Sequence, residues 1–237
     1  MEHPIFFINL LLELFHLPVH GGHGVLPKIL APHVTNAWFV MLVLILAAKL
    51  FVGKIQMIPG KGQNFFEAVL SGIEGFAAEN MGEHGAQLMF PMIATLGIYI
   101  FIANLIGLFP GFMSPTANIN TTLSLAISVF VTTHILGVKF HGAKYVKHFM
   151  GPVSWLAPLM LPIELIGHFA RILSLSIRLF GNIMAKEVLL GLLFILAGAY
   201  LGPLPIMALG VFVCFVQAFV FVLLTMLYFS GAMEHAH

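Results

Sequence analysis

Charged side chains recur every seven residues in one long apolar stretch of the sequence, at Glu164, Arg171 and Arg178. Seven residues advance an α-helix by about 700°, so each member lies within about 20° of the one before it, on a single face. Ser174 and Asn182 stand four residues on either side of Arg178 and extend this polar stripe. Charges inside an apolar helix are costly, so the stripe indicates either buried ion pairs or a path for ions.

His168 lies four residues after Glu164 and three before Arg171, so on a helix its ring can contact both. One interpretation is a structural ion pair between Glu164 and Arg171, and the residues alone do not decide between that and a functional role. Arg178 differs, because its nearest carboxylate in the segment, Glu187, is nine residues on and about 900° around the helix, on the opposite face. We therefore expect another chain to supply the counter-ion of Arg178.

Glu187 is a lone carboxylate on that opposite face, where it could line a separate watery pocket and relay protons. A hydrogen bond to a neighbouring helix is the alternative. In the last apolar stretch, Gln217 is strongly polar and could hydrogen-bond Arg178 or Asn182, or simply hold two helices together. Lys186 is expected to extend its amine toward the membrane boundary.

The composition places these side chains in a membrane. Hydrophobic residues make up 60% of the 237 residues and charged residues 8%, whereas soluble domains usually contain about 25% charged residues. A formal net charge of +1 and the absence of Asp argue against a nucleic-acid partner. The single cysteine, Cys214, excludes a disulfide framework or a thiolate metal cage. We therefore predict an all-α integral membrane protein.

Five apolar stretches are long enough to be membrane-embedded helices, which need about 20 residues each. They cover about 37–52, 87–109, 121–138, 155–199 and 206–230, within a single membrane domain at 35–237. As one helix, the 158–199 stretch would be about 63 Å long, twice the roughly 30 Å hydrocarbon core. We expect it to tilt strongly, bend or break.

Two weaker segments are expected to lie at the membrane surface. The His-rich segment 1–34 is expected outside the cytoplasm, with a short interfacial helix at 5–17, and its irregular histidine spacing argues against a metal site. Segment 61–87 carries Glu67 and Glu74 on one helical face, with apolar side chains at helical spacing. This pattern predicts an amphipathic helix, either on the cytoplasmic surface or packed on a partner subunit.

Lysines predict the orientation, because positively charged loops stay in the cytoplasm. Those after the first and third spans are Lys49, Lys54, Lys61, Lys139, Lys144 and Lys147. The loops after the second and fourth spans carry no Lys or Arg, and only Lys28 opposes the rule. With five alternating spans, the C-terminus is predicted in the cytoplasm and the N-terminus outside.

Several motifs resemble the subunit a family of F-type ATP synthases. The most specific is LSLSIRLFGN at 173–182, followed by Ala185 and Glu187. Weaker matches are PGKGQ at 59–63, NLIGLFP at 104–110, PTANINTTLS at 115–124 and QAFVFVLLTMLY at 217–228. The resemblance covers nearly the whole chain after about Thr35.

The resemblance implies a proton-translocating stator subunit of the Fo sector, which couples ion flow to rotation of a c-subunit ring and to ATP synthesis. Its last two helices would be long, strongly tilted and packed against the ring. Arg178 would face the ring carboxylate between two offset aqueous half-channels. Asn182, Glu187 and Gln217 match family positions linked to proton transfer.

Ser174 and Glu164 match polar family positions on the cytoplasmic side, and His168 is grouped with them as a candidate. One departure is Gly210, where some relatives carry a His or an acidic residue. The implied partners are the c ring, the b subunits of the peripheral stalk, the rest of the F1Fo complex and the lipid of a bacterial inner membrane. The subunit itself would perform no covalent chemistry and need no cofactor or metal.

Two other classes compete with this interpretation. An independent secondary transporter often shows inverted repeats and broken helices, but this sequence has no evident internal repeat. A scaffold protein would use the same charges only as structural ion pairs.

Overall fold

The computed structural model describes residues 31–52, 60–109, 112–142, 145, 157–196 and 203–233. The helices in these ranges are α1 (Pro32–Val52), α2 (Lys61–Ile106), α3 (Ile119–His141), α4 (Ala157–Leu196) and α5 (Pro203–Met233), with a 3-10 turn at Pro115–Ala117. All five helices are long and apolar enough to cross a membrane, which confirms the predicted all-α membrane class. The predicted interfacial helix at 5–17 lies outside the described residues.

α2 joins two segments that the sequence suggested were separate, the amphipathic segment 61–87 and the second span. It contains 46 residues and is interrupted only at Gly82, where φ is 72° and ψ is 161°. That backbone conformation is open to glycine and costly for other residues. The boundary between the two pieces therefore lies at Gly82 rather than at about 87, and no loop separates them.

The first piece of α2 packs on the protein's own last helix. Ala77 is fully buried, and the rings of Phe76 and Phe219 lie 5.1 Å apart between centroids. Val69 and Phe65, about two and three turns earlier, remain exposed. α5 thus takes up part of the apolar face that predicted an amphipathic helix, while the location of this piece at the cytoplasmic surface stays a prediction.

α4 is the long helix expected from the fourth apolar stretch. It contains 40 residues and is continuous across Pro162, so its length is about 60 Å. Of the three possibilities left open by the sequence, a break is therefore wrong for residues 158–196. Its tilt in the membrane stays a prediction.

The core lies where α2, α3, α4 and α5 meet. Its largest fully buried apolar side chains are Phe221, Phe229, Ile93, Ile100, Leu179, Ile183 and Met226. α1 packs on α2 and on the 3-10 turn, and it leaves large apolar side chains such as Trp38 and Leu50 exposed. Lipid tails are as apolar as leucine, so such a surface suits a helix at the edge of a membrane bundle.

Candidate functional site

Arg178 lies on the outward face of α4. Its neighbours Leu175 and Leu179 are buried in the core, whereas Arg178 itself is exposed. Its Nη2 lies 3.4 Å from Ser174 Oγ, a long hydrogen bond in which the guanidinium donates. Within the described ranges no carboxylate forms an ion pair with Arg178, so this charge is available to a group on another chain.

The ion pair considered between Glu164 and Arg171 does not form, which corrects that interpretation. Glu164 Oε1 instead lies 3.4 Å from His168 Nε2, one helical turn on. The Arg171 guanidinium lies over the ring of Tyr228 on α5, 5.6 Å from its centroid, as in a cation–π contact. Glu164 therefore pairs with His168, four residues away, and Arg171 contacts Tyr228 on α5, instead of the two pairing with each other.

Asn182 and Gln217 join α4 to α5 by a direct hydrogen bond. Asn182 Nδ2 donates to Gln217 Oε1 at 2.8 Å, and Gln217 is 4% exposed. Of the partners considered for Gln217, the structure therefore selects Asn182 rather than Arg178. The bond lies one turn beyond Arg178, between the arginine and the end of α4 that carries Glu187.

Glu187 is half-buried against the segment that connects α2 to α3. Its Oε1 accepts a hydrogen bond from the backbone N–H of Ser114 at 2.8 Å. A Cβ on Gly107, the last residue before the connection, would lie 2.8 Å from the same oxygen. The carboxylate is thus held by the backbone of the segment that follows α2.

The expectation that Lys186 reaches toward the membrane boundary is wrong. Its side chain is 7% exposed, and its Nζ donates to the backbone oxygen of Asn104 at 3.0 Å, with Cys214 Sγ 3.6 Å away. The last carbonyls of an α-helix lack partners within the helix, so the end of α2 offers this amine an acceptor inside the protein. A buried acceptor competes with the membrane boundary for a long cationic side chain.

Gly210 makes room for that arrangement. A Cβ on Gly210 would lie 2.6 Å from Leu108 Cδ2 and 3.4 Å from Lys186 Cδ. The space beside Gly210 is therefore occupied by Leu108 and the aliphatic stem of Lys186.

A network of buried hydroxyl and amide groups surrounds the 3-10 turn and was not assigned from sequence. Ser114 Oγ donates to the carbonyl of Ala103 at 2.8 Å and lies 2.7 Å from Thr116 Oγ1, which donates to Asn104 Oδ1. From α1, Asn36 Nδ2 donates to the carbonyl of Met113 at 2.9 Å. The 104–110 and 115–124 motifs both contribute residues to this network. The sequence therefore marked these two segments, but it did not show that they contact each other.

A second cluster of polar side chains lies near the start of α4 and includes His134 and Tyr145, which were not assigned from sequence. The His134 ring on α3 lies 4.9 Å from the His168 ring and 6.0 Å from the Tyr145 ring, between centroids. Burial raises the pKa of Tyr145, so its phenol stays protonated. A cavity of about 20 Å³ adjoins this cluster, and its polar lining residues are Thr133, His168, Arg171 and Tyr228. A polar patch thus extends from Glu164 and His168 to α3 and α5.

The fold and these contacts define a membrane protein with five apolar helices in its described ranges and several ionisable groups inside or beside the bundle. The family described as "ATP synthase A chain" matches residues 34–230. The chain therefore belongs to the ATP synthase A chain family.

Three relatives that are similar over the full length of both chains carry the same name. The protein named "ATP synthase subunit a" of Desulfotalea psychrophila is 61% identical over 100% of both chains. Proteins of the same name from Syntrophobacter fumaroxidans and Citrifermentans bemidjiense are 55% and 49% identical, also over 100% of both chains.

Proposed function

We propose that this chain is the proton-translocating stator subunit of the Fo sector of a rotary ATP synthase. The observation that carries the proposal is Arg178, a cation on the outward face of an apolar helix with no ion-pair partner in the described part of its own chain. A charge at the centre of a membrane helix costs about 2.5–3.5 kcal/mol on insertion scales. An opposite charge on a neighbouring subunit offsets that cost.

The surface around Arg178 supports close approach of another helix. A Cβ on either Gly167 or Gly181 would meet no atom within 4 Å, and Ser174 is exposed between them. Small residues on a membrane helix allow a partner backbone to come near. The proposed partner is the ring of c subunits, whose carboxylates pass Arg178 as the ring turns.

The chemistry of arginine fits this role. Guanidinium stays protonated at any physiological pH. A fixed positive charge favours the ionised form of an approaching carboxylate, so the ring releases its proton beside Arg178. The same charge repels protons and blocks direct leakage, so net transport requires rotation.

Polar groups lie along α4 on both sides of Arg178, as two offset half-channels require. Glu187 is nine residues away, about 13.5 Å along the helix, and Glu164 is fourteen residues away in the other direction, about 21 Å. We assign the inlet to Glu187 with Asn182 and Gln217. The cytoplasmic outlet uses Glu164 and His168 together with Ser174.

The remaining assignments complete the proposal. The subunit is non-catalytic and works with the c ring, the b subunits of the peripheral stalk and the rest of the F1Fo complex. It lies in the bacterial inner membrane, with its N-terminus outside and its C-terminus in the cytoplasm.

ATP-driven proton pumping in inverted membrane vesicles tests the proposal. We expect Arg178→Ala to abolish pumping while the complex still assembles, because the ring carboxylate loses the charge that makes it release its proton. Arg171→Ala is the matched control, since Arg171 already has Tyr228 as a partner, and it should retain most pumping. Normal pumping by assembled Arg178→Ala complexes would refute the stator role.

A further inference from the structure

The end of α2 is closed by contacts that come from outside the helix. The last four carbonyls of an α-helix have no partner within it, and in α2 these belong to residues 103–106. The carbonyl of Ala103 accepts from Ser114 Oγ at 2.8 Å, and that of Asn104 accepts from Lys186 Nζ at 3.0 Å. The carbonyls of residues 105 and 106 accept hydrogen bonds from the backbone N–H groups of Leu108 and Phe109, respectively. Each of the four is therefore paired, and the end of the helix is fixed.

The turn that follows is equally constrained. Residues 114–117 are all buried, and the preceding carbonyl of Met113 accepts from Asn36 on α1 at 2.9 Å. Ser114 begins the turn with φ at −63° and ψ at 128°. Its backbone N–H is thus pointed in a set direction by contacts from α1 and α2.

The Glu187 carboxylate occupies the angle between this turn and the end of α2. Its Oε1 lies 2.8 Å from the Ser114 nitrogen. A Cβ on Gly107 would lie 2.8 Å from that oxygen, 2.8 Å from Ser114 Cβ and 3.1 Å from the Ser114 nitrogen. Any larger residue at 107 would displace either the carboxylate or the turn that binds it.

We propose that Gly107 and Ser114 are positioning residues, which form a backbone cradle that fixes the Glu187 carboxylate at the proton inlet. Gly107 supplies the space and the Ser114 N–H supplies the hydrogen bond. The inference rests on the proposed function, because it gives Glu187 its part in proton entry. Lys186, which binds the same helix end, holds α4 in register with the cradle.

Ser114 allows the hydrogen bond to be removed with little change to the backbone. Proline has no N–H and fixes φ near −65°, close to the −63° of Ser114. Ser114→Pro therefore removes the donor and the hydroxyl, whereas the matched control Ser114→Ala removes the hydroxyl alone. A hydrogen bond to a charged group changes an equilibrium constant at least tenfold. We therefore expect ATP-driven pumping to fall about tenfold further in Ser114→Pro than in Ser114→Ala. Equal pumping by the two assembled variants would overturn the cradle.

The role of Gly107 is tested by combining a change at Gly107 with a change at Glu187, the side chain that it is proposed to position. Gly107→Ala should lower pumping about tenfold, whereas Gly75→Ala, on the same helix and with open space around its Cβ, should not. Aspartate is one methylene shorter than glutamate, so Glu187→Asp should relieve the crowding. We expect the double variant Gly107→Ala/Glu187→Asp to pump better than the product of the two single effects. Strictly multiplicative effects would show that Gly107 has only a structural role.

Two further variants distinguish a failure of the cradle proposal from a failure of the proposed function. Arg178→Ala and Glu187→Gln are measured in the same vesicles, with assembly judged by subunit content. If both abolish pumping while Ser114→Pro and Gly107→Ala pump normally, the cradle is wrong and the proposed function stands. If Arg178→Ala pumps normally, the proposed function itself fails.

Discussion

At the scale of single residues, polarity alone identified several of the groups that the structure brings together. Asn182 and Gln217 were recognisable because amides are rare in such apolar helices, and they bond directly. Lys186 was misjudged, because its acceptor on Asn104 is 82 residues away in sequence and belongs to another helix. A side chain's own helix predicts which face it occupies, but not which acceptor a neighbouring helix presents.

Lys186→Met tests the buried amine. The change keeps most of the side-chain volume but leaves the Asn104 carbonyl without its donor, which should destabilise the assembled complex by about 1–3 kcal/mol. Heating followed by measurement of the subunit retained in the complex would detect this loss. Lys61→Met, at an exposed lysine of α2, is the control. Equal heat resistance of the two variants would show that the amine does not stabilise the end of α2.

At the scale of elements, hydropathy predicted the number and approximate place of the five helices, because about 20 apolar residues per span is a strong requirement. The length of α4 followed from the same reasoning. The position of the break in α2 did not, since Gly72, Gly75, Gly82 and Gly85 look alike in sequence. Only the backbone shows that Gly82 alone of these has a positive φ.

Gly82→Ala should therefore disturb α2. A side chain at φ 72° and ψ 161° is strained, at a cost of about 1–3 kcal/mol, although no neighbouring atom would clash with the new Cβ. We expect a lower thermal stability of the purified complex. Gly75→Ala, in regular helix with equally open space, should be neutral or slightly stabilising. Identical behaviour of the two alanine variants would argue against a break at Gly82.

At the scale of the whole molecule, the packing of α2, α3, α4 and α5 leaves one face of α4 outward, and that face carries Arg171, Ser174 and Arg178. The sequence indicated this stripe through its spacing but could not show which side of α4 the core would cover. The buried Leu175, Leu179 and Ile183 decide that question.

Cysteine labelling tests the predicted orientation. Lys61 and Lys139 are exposed near one set of helix ends and Phe109 near the other, while the native Cys214 is buried. A membrane-impermeant maleimide should label Lys61→Cys and Lys139→Cys in inverted vesicles and Phe109→Cys in intact cells. The opposite pattern would invert the topology and exchange the proposed inlet and outlet.

The central claim is that Arg178 finds its counter-charge on the c ring, and a photo-crosslink tests it most directly. A benzophenone amino acid replaces Ile177, which is 53% exposed beside Arg178, or Leu42 on α1, which is 55% exposed. On illumination of assembled complexes, we predict an adduct with the c subunit from position 177 and none from position 42. If position 177 yields no c-subunit adduct in complexes that contain the ring, Arg178 does not face the ring and the account is contradicted.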